Sequence, residues 1–199
     1  KMSSRDGNVI LFSQLRKEIV ASIQSTHLEE HRKEWSRKEL DETSQKIAVA
    51  AIKYGMLNQD SNKNIVFSMD DWLVSEGDTG TYLVYAYVRI RSIGRKISRK
   101  VSPDVDFSLL THSNEKKLLR QMLDFNKTVF NAGEQFRPSL LARMLYEFSK
   151  DFSRAYNTCS VMHAENEQLK NARLLLFHCV AETLQQGLSL LGISPPERM

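Results

Sequence analysis

Apolar residues recur at steps of three and four along most of this chain, a period that predicts helices. The opening differs. Val9-Ile10-Leu11-Phe12 is a β-rich run behind a polar start and reads as a loop followed by a short strand. A helix is expected after Ser13, with Leu15, Ile19 and Ile23 at steps of four. Thr26 to Lys38 is strongly charged and weakly patterned, which predicts that its outer part is a solvated helix or loop. Ser36-Arg37-Lys38-Glu39 fits a capping box, with Ser36 as N-cap and Glu39 at the third helical position. The helix behind it carries Leu40, Ile47, Ala48, Ala51 and Ile52 and is expected to end near Leu57. Asn58 to Asn64 is turn-like, and Ile65-Val66-Phe67 is extended. Ser68 before Asp71 is a weaker cap, opening a short helix expected to end at Gly77.

Longer periods follow. A helix is predicted from Tyr82 to about Val101, stopped by Pro103. A second spans Asn114 to Asn131. A third has Pro138 in its first turn and runs to about Asn157. The last covers Glu167 to Leu191, with Leu169, Ala172, Leu176, Val180, Leu184, Leu188 and Leu191 on one face and Gly192 as its stop. The fold class predicted is mainly α, with a bundle of about four long helices in the second half. Gly77-Asp78-Thr79-Gly80 interrupts the pattern, so two units are expected, 1–76 and 77–199.

Composition supports long elements. Of 199 residues, only 8 are glycine and 4 are proline, about half the usual share. An all-β sandwich or barrel needs more turn residues than that. Hydrophobic residues make up 41% and charged residues 26%, enough for a packed core. No apolar run is long enough to cross a membrane as a helix. Cys159 and Cys179 have no metal-ligand spacing and read as two buried thiols. His27 and His31, near Glu30 and Glu34, read as a solvated charged face, and no metal site is expected.

The net charge of +4 permits a nucleic-acid partner without demanding one. Its placement says more. On a helical wheel starting at Tyr82, Leu83, Ala86, Ile90, Ile93 and Ile97 fall between about 20° and 100° and form the core face. Tyr82, Tyr85, Arg89, Lys96 and Lys100 fall between about 300° and 360° as a flanking stripe. Between Thr79 and Pro103 there are six basic residues and no acid. Tyrosine faces stack on bases, guanidinium forks reach base edges, and lysines neutralise phosphates, so the stripe suits single-stranded RNA.

Two further motifs sharpen this. Lys1-Met2-Ser3-Ser4-Arg5 resembles the KMSKS loop of class I aminoacyl-tRNA synthetases. Asp78-Thr79-Gly80-Thr81-Tyr82-Leu83-Val84-Tyr85-Ala86-Tyr87-Val88-Arg89 is similar to the first helix of the DALR anticodon-binding domain of arginyl-tRNA synthetases. Lys53-Tyr54-Gly55, Phe67-Ser68-Met69-Asp70, Tyr146-Glu147-Phe148, Tyr156-Asn157-Thr158-Cys159 and the closing Gly187 to Met199 resemble that family in matching order.

The resemblance implies an arginine–tRNA ligase that joins arginine to tRNA(Arg) through an arginyl-adenylate, with ATP as substrate, accompanied by Mg2+ in the full-length enzyme, and no bound structural metal. Lys1 and Arg5 are its implied catalytic residues, in an ATP loop formed by Lys1, Met2, Ser3, Ser4 and Arg5. Ser4 stands where the motif usually carries lysine. Tyr82, Tyr85, Arg89, Tyr156 and Met199 are the implied anticodon contacts, with Lys96 and Lys100 on the tRNA backbone. Residues 1–76 correspond to the signature loop and the end of the catalytic domain, and 77–199 to the anticodon-binding bundle. The chain starts inside the signature loop and holds no parallel nucleotide fold. It is therefore expected to be part of a longer enzyme and to be inactive alone. A monomer in the cytoplasm is expected, with no membrane partner and an organellar home left open. The alternatives are a stand-alone, non-catalytic tRNA-binding module and a helical scaffold with no RNA ligand.

Overall fold

The structure is a computed structural model that describes residues 11–60, 62–65, 68–97 and 102–199, without the side chains of Lys96 and Ile97. Seven α-helices are present among them: α1 (Phe12–Thr26), α2 (Arg37–Leu57), α3 (Met69–Leu73), α4 (Gly80–Ile97), α5 (Ser113–Glu134), α6 (Pro138–Thr158) and α7 (Glu167–Leu190). Short 3-10 turns cover Glu29–Lys33 and Phe107–Leu109.

Helix α2 starts and stops where the sequence says. Ser36 Oγ accepts from the Glu39 amide, and Glu39 returns the bond to the Ser36 amide at 3.1 Å. Ser68 caps α3 in the same way through the Asp71 amide. Two expectations fail near the front. Leu11 and Phe12 are not a strand: Leu11 is the N-cap of α1 and Phe12 its first residue. Both are more than half exposed, and no strand is present among the described residues to pair with them. The short helix also ends at Leu73 rather than Gly77, because Val74 turns extended and the chain runs to Gly77 at a left-handed φ of 79°. Val66 and Phe67 lie outside the described residues.

The charged stretch from Thr26 to Lys38 is only partly solvated. Leu28 is fully buried and Trp35 nearly so. His27 is not on a solvated face. Its ring nitrogens lie 2.8 Å from the Leu73 carbonyl and 3.2 Å from Ser75 Oγ, joining the end of α1 to the chain beyond α3. His31 stacks on Trp35 with ring centroids 4.4 Å apart.

Helix α4 is the central element and packs against α2, α6 and α7. That explains why one wheel face does not account for it. Leu83, Ala86, Ile90 and Ile93 are buried as expected, but so are Val84, Tyr87 and Val88 on other faces. Three glycines set the closest approaches. A Cβ at Gly80 would stand 2.2 Å from the Ala50 carbonyl oxygen on α2. One at Gly55 would enter the Trp72 ring, and one at Gly187 on α7 would strike Leu145 on α6. The α5–α6 turn is tight and carries no glycine at its left-handed position. Phe136 takes it, at φ 51° and 88% exposed.

Polar ties fix the front of the chain to the bundle. The Tyr54 hydroxyl lies 2.5 Å from the Asp78 carboxylate and 3.1 Å from the Ala142 carbonyl. Burial and that carboxylate push the Tyr54 phenol far above its ordinary value, so it stays a donor. Asp60 accepts from both Arg137 and Ser139 at the start of α6.

Candidate nucleic-acid interface

The first turn of α4 is built by Thr79. Its hydroxyl donates to the Val74 carbonyl at 2.7 Å and accepts from the Tyr82 amide at 3.0 Å. This orients the face that carries Tyr82, Tyr85 and Arg89. Helix α6 then supports two of the three. The Tyr82 hydroxyl lies 3.2 Å from Ser153 Oγ, and its ring meets the Tyr146 ring edge-on at 5.8 Å. The Arg89 guanidinium lies 4.2 Å above the centre of the Tyr156 ring. Tyr85, between them, is 41% exposed. The structure therefore brings Tyr82, Tyr85, Arg89 and Tyr156 to one face, where α4 meets α6.

The opposite wall was missed in the sequence. Tyr146, Lys150 and Ser153 recur at steps of four and three on α6, a helical period that the sequence itself carries. The Lys150 ammonium sits 5.1 Å from the Tyr146 ring centre and donates to Glu147 at 3.0 Å. Those hydrogen bonds hold the Lys150 pKa above the ordinary lysine value, so the group stays cationic. An exposed aromatic face, a guanidinium seated over a ring, and a nearby ammonium can together take an unpaired base and its phosphate.

Met199 is half-buried against the core. The residues before it are anchored elsewhere on α4 and α2. Arg95 donates to the Glu197 carbonyl at 3.0 Å. Arg198 pairs with Glu39 and lies 4.5 Å over the Trp35 ring. The loop Lys1, Met2, Ser3, Ser4 and Arg5 lies outside the described residues, as do Lys100 and the side chain of Lys96. Cys159 is buried and Cys179 half-buried, a correction to the expectation of two buried thiols. Burial pushes both thiols up, which disfavours the thiolate a nucleophile needs. Among the described residues no group of three or more His, Cys, Asp or Glu could hold a metal, and no helix is long and apolar enough to cross a membrane.

A family model described as the DALR anticodon binding domain matches residues 83–199. The chain belongs to that family. The DALR match takes in Tyr85, Arg89, Tyr156 and Met199, and begins one residue after Tyr82. The arginine–tRNA ligase of Bdellovibrio bacteriovorus is 37% identical over 198 residues, covering the whole chain and 34% of the relative. That of Clostridium acetobutylicum is 35% identical and is covered to 35%. The chain thus spans about a third of the length of the curated relatives it matches. Among solved structures, Thermus thermophilus arginyl-tRNA synthetase superposes with a TM-score of 0.87 at 30% identity, over 96% of this chain and 32% of that one. Arginyl-tRNA synthetase from Plasmodium falciparum gives 0.85 at 28% identity, over 96% and 34%.

Proposed function

We propose that the chain is the C-terminal part of an arginine–tRNA ligase, and that the face where α4 meets α6 holds the anticodon loop of tRNA(Arg). The observation that carries this reading is the exposed Tyr85 ring, flanked on α4 by Tyr82 and Arg89, both braced by α6. A braced donor and a free aromatic face lose little freedom when a base stacks, which favours binding. Residues 77–199 are the recognition unit. Residues 1–76 close a catalytic domain in which Lys1 and Arg5 of the ATP loop meet charge developing on Mg2+-bound ATP. The complete enzyme activates arginine as its adenylate, releasing pyrophosphate. It then transfers the arginyl group to tRNA(Arg), releasing AMP. It works as a monomer in the cytoplasm. Met199 and Lys96 and Lys100 are assigned as further anticodon and backbone contacts on the family resemblance.

Tyr85→Ala tests the reading. It is expected to weaken tRNA(Arg) binding by about 1–3 kcal/mol, with affinity falling as salt rises. Filter binding at several salt concentrations measures both, and unchanged affinity would overturn the assignment. Arg89→Lys separates reading from attraction. The planar fork is lost while the charge stays, so discrimination between cognate and anticodon-swapped tRNA should fall more than total binding. Equal losses for the two RNAs would show that Arg89 does not read a base.

A further inference from the structure

On the far side of α6 from Tyr82, Asp151 is nearly buried, its side chain 3% exposed. It accepts from Lys117 at 2.9 Å, from Arg154 at 2.8 Å and from Gln121 at 3.0 Å. The two cations are half in water, with side chains 50% and 56% exposed. One inward carboxylate thus fixes two outward cations, from α5 and from α6, and leaves a net positive charge at the surface. A buried carboxylate with this many partners is not an efficient source of stability, since apolar packing commonly does as well. What it supplies is position: two cations that would otherwise sweep freely are held side by side.

These cations continue the candidate interface. On a wheel drawn from Pro138, Ser153 and Tyr146 lie at about 60° and 80°, Asn157 and Lys150 at about 100° and 120°, and Arg154 at about 160°. The band runs from the rings that brace Tyr82, through Lys150, to Arg154, and then across to Lys117 on α5. Glu147 is the acid on this band, and it is engaged by Lys150.

We infer that Lys117 and Arg154, held by Asp151, bind the phosphodiester backbone of the RNA strand whose bases meet α4. The inference rests on the tRNA reading above. A fixed pair of cations suits a strand that bears one charge per nucleotide, and both side chains stay about half exposed, with donors beyond those Asp151 takes. Phosphate contacts carry no sequence information, so this pair acts on affinity and leaves discrimination to α4.

The test uses the 199-residue chain with tRNA(Arg) and an anticodon-swapped tRNA as probes. Lys117→Gln and Arg154→Gln are made separately, so that each variant keeps one cation on Asp151. Thermal melts establish that each is folded, and Arg154→Lys keeps the charge if Arg154→Gln is not. Each charge-removing variant should bind both RNAs more weakly, by the same factor. Each should also lower the slope of log affinity against log salt by about 0.7–0.9, the share of one released counterion. Arg154→Lys should keep the wild-type slope, and Lys127→Gln, an exposed control elsewhere on α5, should change nothing. A wild-type slope in both Lys117→Gln and Arg154→Gln, alongside lost binding in Tyr85→Ala, overturns the phosphate track and leaves the anticodon reading standing. A wild-type result in all three overturns both.

Discussion

Replacing Arg173 with methionine should cost the fold about 3–5 kcal/mol, the usual penalty for stranding a buried charge. Glu115 is 1% exposed, and the Arg173 guanidinium reaches it from α7 at 2.7 Å. Arg173 also donates to the Ser160 carbonyl at 3.0 Å. The other Glu115 oxygen accepts the His112 amide at 2.9 Å and helps start α5. The variant leaves that carboxylate with the His112 amide and the weakly donating Cys159 thiol in a dry site, and it frees the loop that follows α6. Urea denaturation measures the loss. Glu115→Leu combined with Arg173→Met removes both charges and should recover most of the stability, short of about 1 kcal/mol for the weakened cap. A loss below about 1 kcal/mol in the single variant would mean the carboxylate finds water or another partner. Because Tyr156 closes the last turn of α6 just before this loop, the single variant should also loosen the platform under Arg89.

Gly80→Ala should be the second most damaging change, at the upper end of about 1–3 kcal/mol for overpacking. The new methyl would stand 2.2 Å from the Ala50 oxygen and 2.5 Å from its carbonyl carbon, both backbone atoms of α2. A side chain could swing aside, but a helix backbone cannot, so α2 and α4 must part. Tyr82 stands two residues on, so tRNA affinity should fall with stability. Gly94→Ala is the control in the same helix. Its methyl meets nothing within 4 Å, so removing a helix-interior glycine should instead add about 0.5–1 kcal/mol. If the two variants melt alike, the close approach of α2 and α4 is not what makes glycine necessary.

The legible parts of this fold carried a local signature. The Ser36–Glu39 box, Pro138 in the first turn of α6, and Gly192 beyond α7 each mark a boundary by chemistry confined to a few residues. The stripe of Tyr82, Tyr85 and Arg89 was legible for the same reason, since a helix period fixes which side chains share a face. Partners from other helices were not. Trp35 and Leu28 are buried inside a charged stretch, Trp35 under Arg198 of the tail, and the local sequence carries no trace of that cover. Tyr87 and Val88 lie off the expected core face yet are buried, because α4 has neighbours on several sides. The α5–α6 turn lacks the glycine that usually announces one, since Phe136 bears the left-handed backbone itself. The roles of Tyr146, Ser153 and Asp151 depend on which helix lies opposite, and that is settled only by packing.

The pairing of Arg198 with Glu39 links residues 159 apart, the widest sequence separation among the described side-chain hydrogen bonds. A loop of that length is closed at an entropic cost that local helix contacts do not bear. The last residues of the tail are therefore expected to dock once α2 and the bundle have met. In kinetic terms it is a latch. It is expected to contribute little to how fast the chain folds and to act instead on how long the front segment stays seated against the helices that carry Tyr85 and Arg89.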